Sequence, residues 1–185
     1  MELYHGTDLE SANAIFSKGI NVLAGNESAD FGPGFYTTPN RDFAVERAVQ
    51  KSRKTNNPPA LVVITFNEEA AKGATKTFYD TDLNWLQFVV NNRVGLEYVE
   101  RHNLSDETHN LDRKYPIVVG QTADVKVVYL IGVIEETDRL VNEEDLYVGQ
   151  NPAFHNQYSF HNSYGLSFIE GEARIELLDE GDELK

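Results

Sequence analysis

The sequence contains no cysteine, one methionine and one tryptophan. The absence of cysteine excludes disulfide bonds, a thiolate nucleophile and cysteine ligands to a metal. Basic side chains are also few: 16 lysines and arginines stand against 30 acidic residues, which gives a formal net charge of −14. Because non-specific nucleic-acid binding depends on basic side chains that neutralise phosphates, this charge argues against a generic duplex-binding protein, although it permits a local basic groove.

Long hydrophobic runs are absent as well. The longest, Val125 to Ile134, contains Lys126 and is too short to span a bilayer. The first residues lack the basic-then-apolar pattern of a secretory signal. We therefore expect a cytoplasmic protein that does not associate with membranes. The length of 185 residues predicts one domain over residues 1–178, followed by an acidic flexible tail over residues 179–185.

Apolar periodicity and turn residues predict an α+β fold that mixes short strands with helices. Strands are predicted at residues 3–5, 35–38, 60–66, 117–120, 125–134, 157–161 and 173–178. Helices are predicted at residues 9–18, from Asn40 to about residue 54, at 81–101 and at 142–150. For residues 125–134 a buried helix is the alternative, since composition alone does not separate it from a buried strand.

The five histidines do not follow a metal-binding pattern. No His-x-x-x-His pair or metalloprotease helix is present, and no cysteine can complete a site. We expect no metal. Gly32-Pro33-Gly34 lacks the third glycine of a dinucleotide fingerprint and the Gly-Lys-Ser/Thr of a phosphate loop, so alone it indicates a tight turn.

Three separated segments carry the strongest functional signal. They are Leu3-Tyr4-His5-Gly6-Thr7, Phe31-Gly32-Pro33-Gly34-Phe35-Tyr36-Thr37-Thr38 and Asn156-Gln157-Tyr158-Ser159-Phe160-His161. In this order and spacing the chain resembles the ADP-ribosyltransferase superfamily, in its diphtheria-toxin and poly(ADP-ribose)-polymerase branch. Residues 85–93 and 117–124 resemble further motifs of a bacterial toxin-like group within it. Taken singly, each segment also fits an ordinary strand end or core position.

The resemblance implies an ADP-ribosyltransferase-like fold, a split pair of antiparallel or mixed sheets with flanking helices around an NAD cleft. It implies that His5 hydrogen-bonds a ribose hydroxyl, that Gly6 presents its backbone to the nicotinamide carboxamide, and that Tyr36 stacks on the nicotinamide ring. Gln157, Tyr36 and His5 form the implied catalytic set. The implied NAD-binding set also includes Thr7, Gly34 and Phe35. Either Phe43 or Arg47 would close the other side of the site, and the spacing does not decide between them.

Gln157 stands where the branch usually has a glutamate, and a neutral amide brings no negative charge to stabilise a ribosyl cation. The expected activity is therefore mono-ADP-ribosylation with NAD as substrate, in a toxin of a toxin–antitoxin or phage-defence system. An NAD glycohydrolase and a binding module for NAD or ADP-ribose are the alternatives. A protein acceptor is favoured over RNA or DNA, and an antitoxin protein is a candidate partner.

Overall fold

Two sheets form the framework of the computed structural model, which describes residues 1–26, 28–123, 125–146 and 155–178. Their strands are β1 (Glu2–Asp8), β2 (Phe35–Thr37), β3 (Pro59–Phe66), β4 (Thr75–Thr77), β5 (Ile117–Gln121), β6 (Asn156–Phe160) and β7 (Ile169–Leu177). One sheet has the order β1-β3-β7 and is antiparallel. The other has the order β2-β6-β5-β4, in which only the β4–β5 pair is parallel.

Most helices of the described residues begin at a capping side chain, and the sequence indicates two of these caps, Asn40 and either Asp8 or Ser11. The helices are α1 (Leu9–Lys18), α2 (Arg41–Thr55), α3 (Glu68–Ala71), α4 (Leu83–Val94), α5 (Leu96–Arg101), α6 (Val125–Thr137) and α7 (Ser163–Leu166). Asp8 caps α1 and Asn40 caps α2, each by accepting a backbone N–H from the first turn. Gly19, with φ of 83°, ends α1. No helix in the described part of the chain is long and apolar enough to cross a membrane.

The two sheets pack face to face, and helices cover their outer faces. Side chains on β3 alternate: Val62 and Ile64 enter the core between the sheets, whereas Leu61 and Val63 pack against α2. On the outer side of the four-stranded sheet, Val118 packs with residues of α4, α5 and α6. Each sheet is therefore buried on both faces over much of its area.

The sheets meet at one isolated bridge between β1 and the end of β2. Tyr4 and Thr38 exchange two backbone hydrogen bonds, with N–O distances of 2.8 and 2.9 Å. Beyond this bridge the described residues of β1 and β2 form no further backbone pairing. The junction brings residues 5–7, 34–36 and 157 to one place although they lie far apart in the sequence.

The structure confirms the α+β class and the pair of antiparallel and mixed sheets, and it corrects two elements. Residues 125–134 form a helix and not a strand, because the buried Val127, Leu130 and Ile134 recur at helical spacing. The predicted helix at 81–101 is two helices separated by Gly95, whose φ is 101°. Strand β4 and the short helices α3 and α7 were not predicted. In the predicted helix 142–150, residues 143–145 form a 3-10 turn, and residues 147–150 lie outside the described residues, as does the tail at 179–185.

Candidate active site

Two adjoining cavities, of about 790 and 330 Å³, lie at the junction of the sheets. Both are lined by His5, Gly6, Asn26 and Tyr36. The other predicted site residues divide between them: Thr7, Gly34 and Phe35 line the larger cavity, and Phe43, Arg47 and Gln157 line the smaller. The structure thus brings all nine predicted site residues to one cleft, of a size typical of small-molecule sites.

His5 holds its ring in a defined hydrogen-bonding state. Its Nδ1 lies 2.7 Å from the carbonyl oxygen of Tyr36, so Nδ1 carries the proton and donates it. Burial lowers the pKa of His5, an effect that the Tyr36 hydrogen bond partly opposes, so the imidazole is neutral at physiological pH. A neutral imidazole protonated on Nδ1 leaves Nε2 as an acceptor, which suits a ribose hydroxyl.

Gly6 presents an unpaired backbone N–H and C=O at the edge of β1. Along an antiparallel strand, alternate residues direct their backbone groups to opposite sides. Leu9 donates its N–H to Pro58 beside β3, and Tyr4 bonds Thr38 on the other side. Gly6 is an even-numbered position like Tyr4, so its backbone N–H and C=O point away from β3. Neither group has a hydrogen-bond partner among the described residues.

Both glycines predicted in the site are required by packing as well. A Cβ on Gly6 would lie 1.9 Å from the carbonyl oxygen of Ala44, because β1 crosses very close to α2. A Cβ on Gly34 would lie 2.7 Å from Nδ1 of His161. The absence of side chains here is thus explained by the fold, and it also leaves the Gly6 backbone open to the cleft.

Tyr36 lines both cavities, and its side chain is anchored at the hydroxyl. The hydroxyl donates to the carbonyl of Gly32 at 2.6 Å and accepts from the N–H of Phe31 at 3.0 Å. Burial, together with the nearby charge of Asp30, raises the pKa of Tyr36 well above its usual 10, so the hydroxyl remains a donor. These bonds fix the ring plane and tie the preceding loop to β2.

Gln157 lies on the same face of its sheet as Tyr36. Tyr158 and Phe160 enter the core between the sheets, so Gln157 and Ser159 project to the other face. Tyr36 is directly opposite Ser159, which places Gln157 diagonally across from the aromatic ring.

Asp30 is a site residue that the sequence did not predict, as are Lys18 and Lys51 of the larger cavity. It is buried, and its Oδ2 accepts the Gln157 side-chain N–H at 2.8 Å and the Ala123 backbone N–H at 2.9 Å. Its Oδ1 accepts from Arg93 Nε at 2.6 Å. The only signal in the sequence is its position immediately before the Phe31-Gly32 motif. Arg93 belongs to one of the resembling motifs, whereas Asp124 of another lies outside the described residues.

Phe43 and Arg47 occupy the mouth of the smaller cavity as a stack. The Phe43 ring lies 4.5 Å from the His155 ring, and the Arg47 guanidinium carbon lies 4.8 Å from the Phe43 centroid. The Phe43 ring is therefore already in contact with two protein groups. Arg47 is exposed and keeps donors available for an anionic group.

The cleft is basic in a strongly acidic protein. Its described lining contains four basic residues and one acidic residue: Lys18, Lys51, Arg47 and Arg93 against Asp30. Low-dielectric walls concentrate such a field inside a cleft. Among the described residues no group of three or more histidine, aspartate or glutamate side chains could hold a metal ion.

Fold and site together define an α+β protein with a basic cleft between two sheets, lined by an aromatic ring, a neutral histidine and a carboxylate–amide pair. The chain belongs to the family described as "Protein of unknown function (DUF3990)", whose model matches residues 1–170. No match is found among curated proteins or among solved structures.

Proposed function

We propose that this protein is a mono-ADP-ribosyltransferase, which uses NAD to modify a macromolecule and releases nicotinamide. The observation that carries the proposal is the unpaired backbone of Gly6 at the edge of β1, beside the ring of Tyr36. One N–H and one C=O on the same strand residue match the acceptor and donor of a primary carboxamide. An adjacent aromatic face suits the flat ring that carries the carboxamide.

The remaining groups of the cleft suit the rest of NAD. His5 Nε2 is an acceptor for a ribose hydroxyl. Lys51 and Lys18 in the larger cavity, and Arg47 at the mouth of the smaller, provide positive charge for a pyrophosphate. Because the two cavities adjoin at His5 and Tyr36, an extended dinucleotide can occupy both.

The reaction needs orientation and fixed dipoles more than a strong base. The bond between the ribose C1′ and the nicotinamide nitrogen breaks, and its electron pair neutralises the nitrogen cation as nicotinamide leaves. The resulting ribosyl cation is captured by a lone pair of the acceptor, whose proton passes to solvent. Gln157 contributes a carbonyl oxygen that accepts from a ribose hydroxyl near the cation.

A labelled-NAD assay tests the proposal. The protein is incubated with NAD labelled in its adenylate half, with and without cell lysate, while nicotinamide release is followed. Gln157→Ala is compared with Asn156→Ala, an exposed neighbour on β6 whose side chain lines neither cavity. We expect label on a macromolecule, with loss of transfer in Gln157→Ala and normal transfer in Asn156→Ala.

Other outcomes identify the alternatives. Nicotinamide release without a macromolecular acceptor indicates an NAD glycohydrolase. NAD binding by calorimetry without any release indicates a binding module. Failure to bind NAD contradicts the proposed transferase and the glycohydrolase, and failure to bind ADP-ribose as well contradicts the binding module. Mass spectrometry of protein and RNA after expression then identifies the acceptor and distinguishes a protein from RNA or DNA, while co-purification reveals any antitoxin.

A further inference from the structure

We infer that Asp30 provides the negative charge of this cleft and acts through Gln157 as a positioning residue for the reaction, an inference that rests on the proposed function. Residue 157 is neutral, yet a buried carboxylate lies 2.8 Å behind its amide. Asp30 comes from the loop before β2, and Gln157 comes from β6. The carboxylate and the amide therefore form one unit assembled from two distant segments.

The chemistry of the pair fixes the orientation of Gln157. A carboxylate only accepts hydrogen bonds, so the Gln157 amide must turn its NH₂ group towards Asp30. The carbonyl oxygen Oε1 then points away from Asp30, and it has no hydrogen-bond donor among the residues that the structure describes. A carboxylate bound to the NH₂ end polarises the amide and increases the negative charge on Oε1.

The other partners of Asp30 hold the carboxylate in place. Arg93 binds Oδ1 through Nε and Nη2, at 2.6 and 2.5 Å, and the Ala123 N–H shares Oδ2 with Gln157. The positive charge of Arg93 balances the negative charge of the buried Asp30 carboxylate. Both oxygens are thus committed to the protein, so Asp30 works through Gln157 and does not itself contact a ligand.

The substitution Asp30→Asn tests whether Asp30 orients the Gln157 amide. The introduced asparagine has one acceptor oxygen, which Arg93 requires, so its NH₂ group takes the place of Oδ2 and faces both Gln157 and the Ala123 N–H, which loses its acceptor in the single and the double variant alike. Gln157 must then rotate its amide, so that its carbonyl oxygen faces the asparagine and its NH₂ group faces the cleft. We expect nicotinamide release by Asp30→Asn to fall at least about tenfold in kcat, because the acceptor has become a donor.

The double variant Asp30→Asn/Gln157→Glu supplies the decisive comparison. It restores a carboxylate–amide pair with the two groups exchanged, so an acceptor oxygen again faces the cleft. Gln157→Glu alone places two carboxylates in hydrogen-bond contact and is expected to lose activity as well. We expect the double variant to recover kcat to within about threefold of the wild-type protein, more than either single variant.

Each outcome of the series has one meaning. A merely structural Asp30 predicts that the double variant is as impaired as Asp30→Asn, and that result overturns the inference while leaving the proposed function intact. A wild-type protein that neither binds NAD in calorimetry nor releases nicotinamide overturns both. Circular dichroism and thermal unfolding verify folding; if Asp30→Asn does not fold, recovery of kcat in the double variant over Gln157→Glu carries the test.

Discussion

Acidification should destabilise the protein through His161, the buried residue that follows β6. Its Nδ1 lies 2.8 Å from the carbonyl oxygen of Pro33, and its ring blocks the space beside Gly34. Burial lowers the pKa of His161 from 6.5 to about 4; the Pro33 hydrogen bond partly opposes this effect, and the charge of Arg113 adds a smaller lowering. The folded state therefore prefers the neutral ring.

The sign and size of the effect follow from this shift. Between the folded pKa of about 4 and the unfolded value of 6.5, the unfolded state binds more protons, so stability present above pH 6.5 is lost as the pH falls. At about pH 5 the unfolded imidazole is almost fully protonated and the folded one about one-tenth, which amounts to a loss of about 2 kcal/mol relative to about pH 7.5. His5, whose pKa burial also lowers, adds a loss in the same direction.

Urea unfolding of the wild-type protein and of His161→Asn at both pH values isolates this contribution. Asparagine keeps a donor in reach of Pro33 but does not titrate, and the His5 contribution is common to both proteins. We expect the free energy of unfolding of the wild-type protein to fall by about 2 kcal/mol more than that of the variant. An equal fall in the two proteins would refute the reasoning, because His161 would then be protonated alike in both states.

Three further predictions concern the cleft. Tyr36→Phe should lose about 1–3 kcal/mol of stability in thermal unfolding, because the two hydrogen bonds from the loop to its hydroxyl are lost. The folded Tyr36→Phe protein should still release nicotinamide, whereas Tyr36→Ala should abolish release. Gly6→Ala should unfold or severely destabilise the protein, as measured by circular dichroism, because the new Cβ would collide with Ala44. The control Gly132→Ala, in open space on α6, should raise the free energy of unfolding by up to about 1 kcal/mol. Lys51→Gln should weaken NAD binding by about threefold to tenfold in calorimetry, a difference that shrinks at high ionic strength; unchanged affinity would remove Lys51 from the pyrophosphate site.

The parts of the fold that the sequence predicted well are those governed by local signals. Asn40 is a cap residue before helical periodicity, Asp8 and Ser11 are the two candidate caps of the first helix, of which Asp8 is the cap, and β3 is a β-branched run. The strand predicted in place of α6 was wrong, because a helix that is buried on one side and rich in β-branched residues has the same composition as a buried strand. Only the spacing of Val127, Leu130 and Ile134 distinguishes the helix from the strand. Gly95 inside the predicted helix was an available signal for the break between α4 and α5.

The sequence predicts residues that the structure brings into one cleft, but it does not predict how their side chains are connected. His5, Gly6 and Tyr36 lie in short motifs at strand ends, which local sequence can identify. The bond from Asp30 to Gln157 spans 127 residues and depends on which β6 residue lies beside the β2 loop. No spacing rule along the chain encodes that register. The sequence therefore predicts Gln157 as a site residue but does not predict Asp30 beside it.

This connection also changes what the neutral residue at 157 implies. From the sequence, an amide where the resembled branch usually has a glutamate suggests a site without negative charge, for which mono-ADP-ribosylation is the expected activity and a binding module an alternative. In the folded chain a buried carboxylate lies directly behind that amide, balanced by Arg93. The same reasoning applies to the net charge of −14, since the cleft carries four basic groups against one acidic group. A basic cleft inside an acidic surface suits the proposed substrate NAD, a small anion, and repels a long polyanion as it approaches, which supports the proposed preference for a protein acceptor over a nucleic acid.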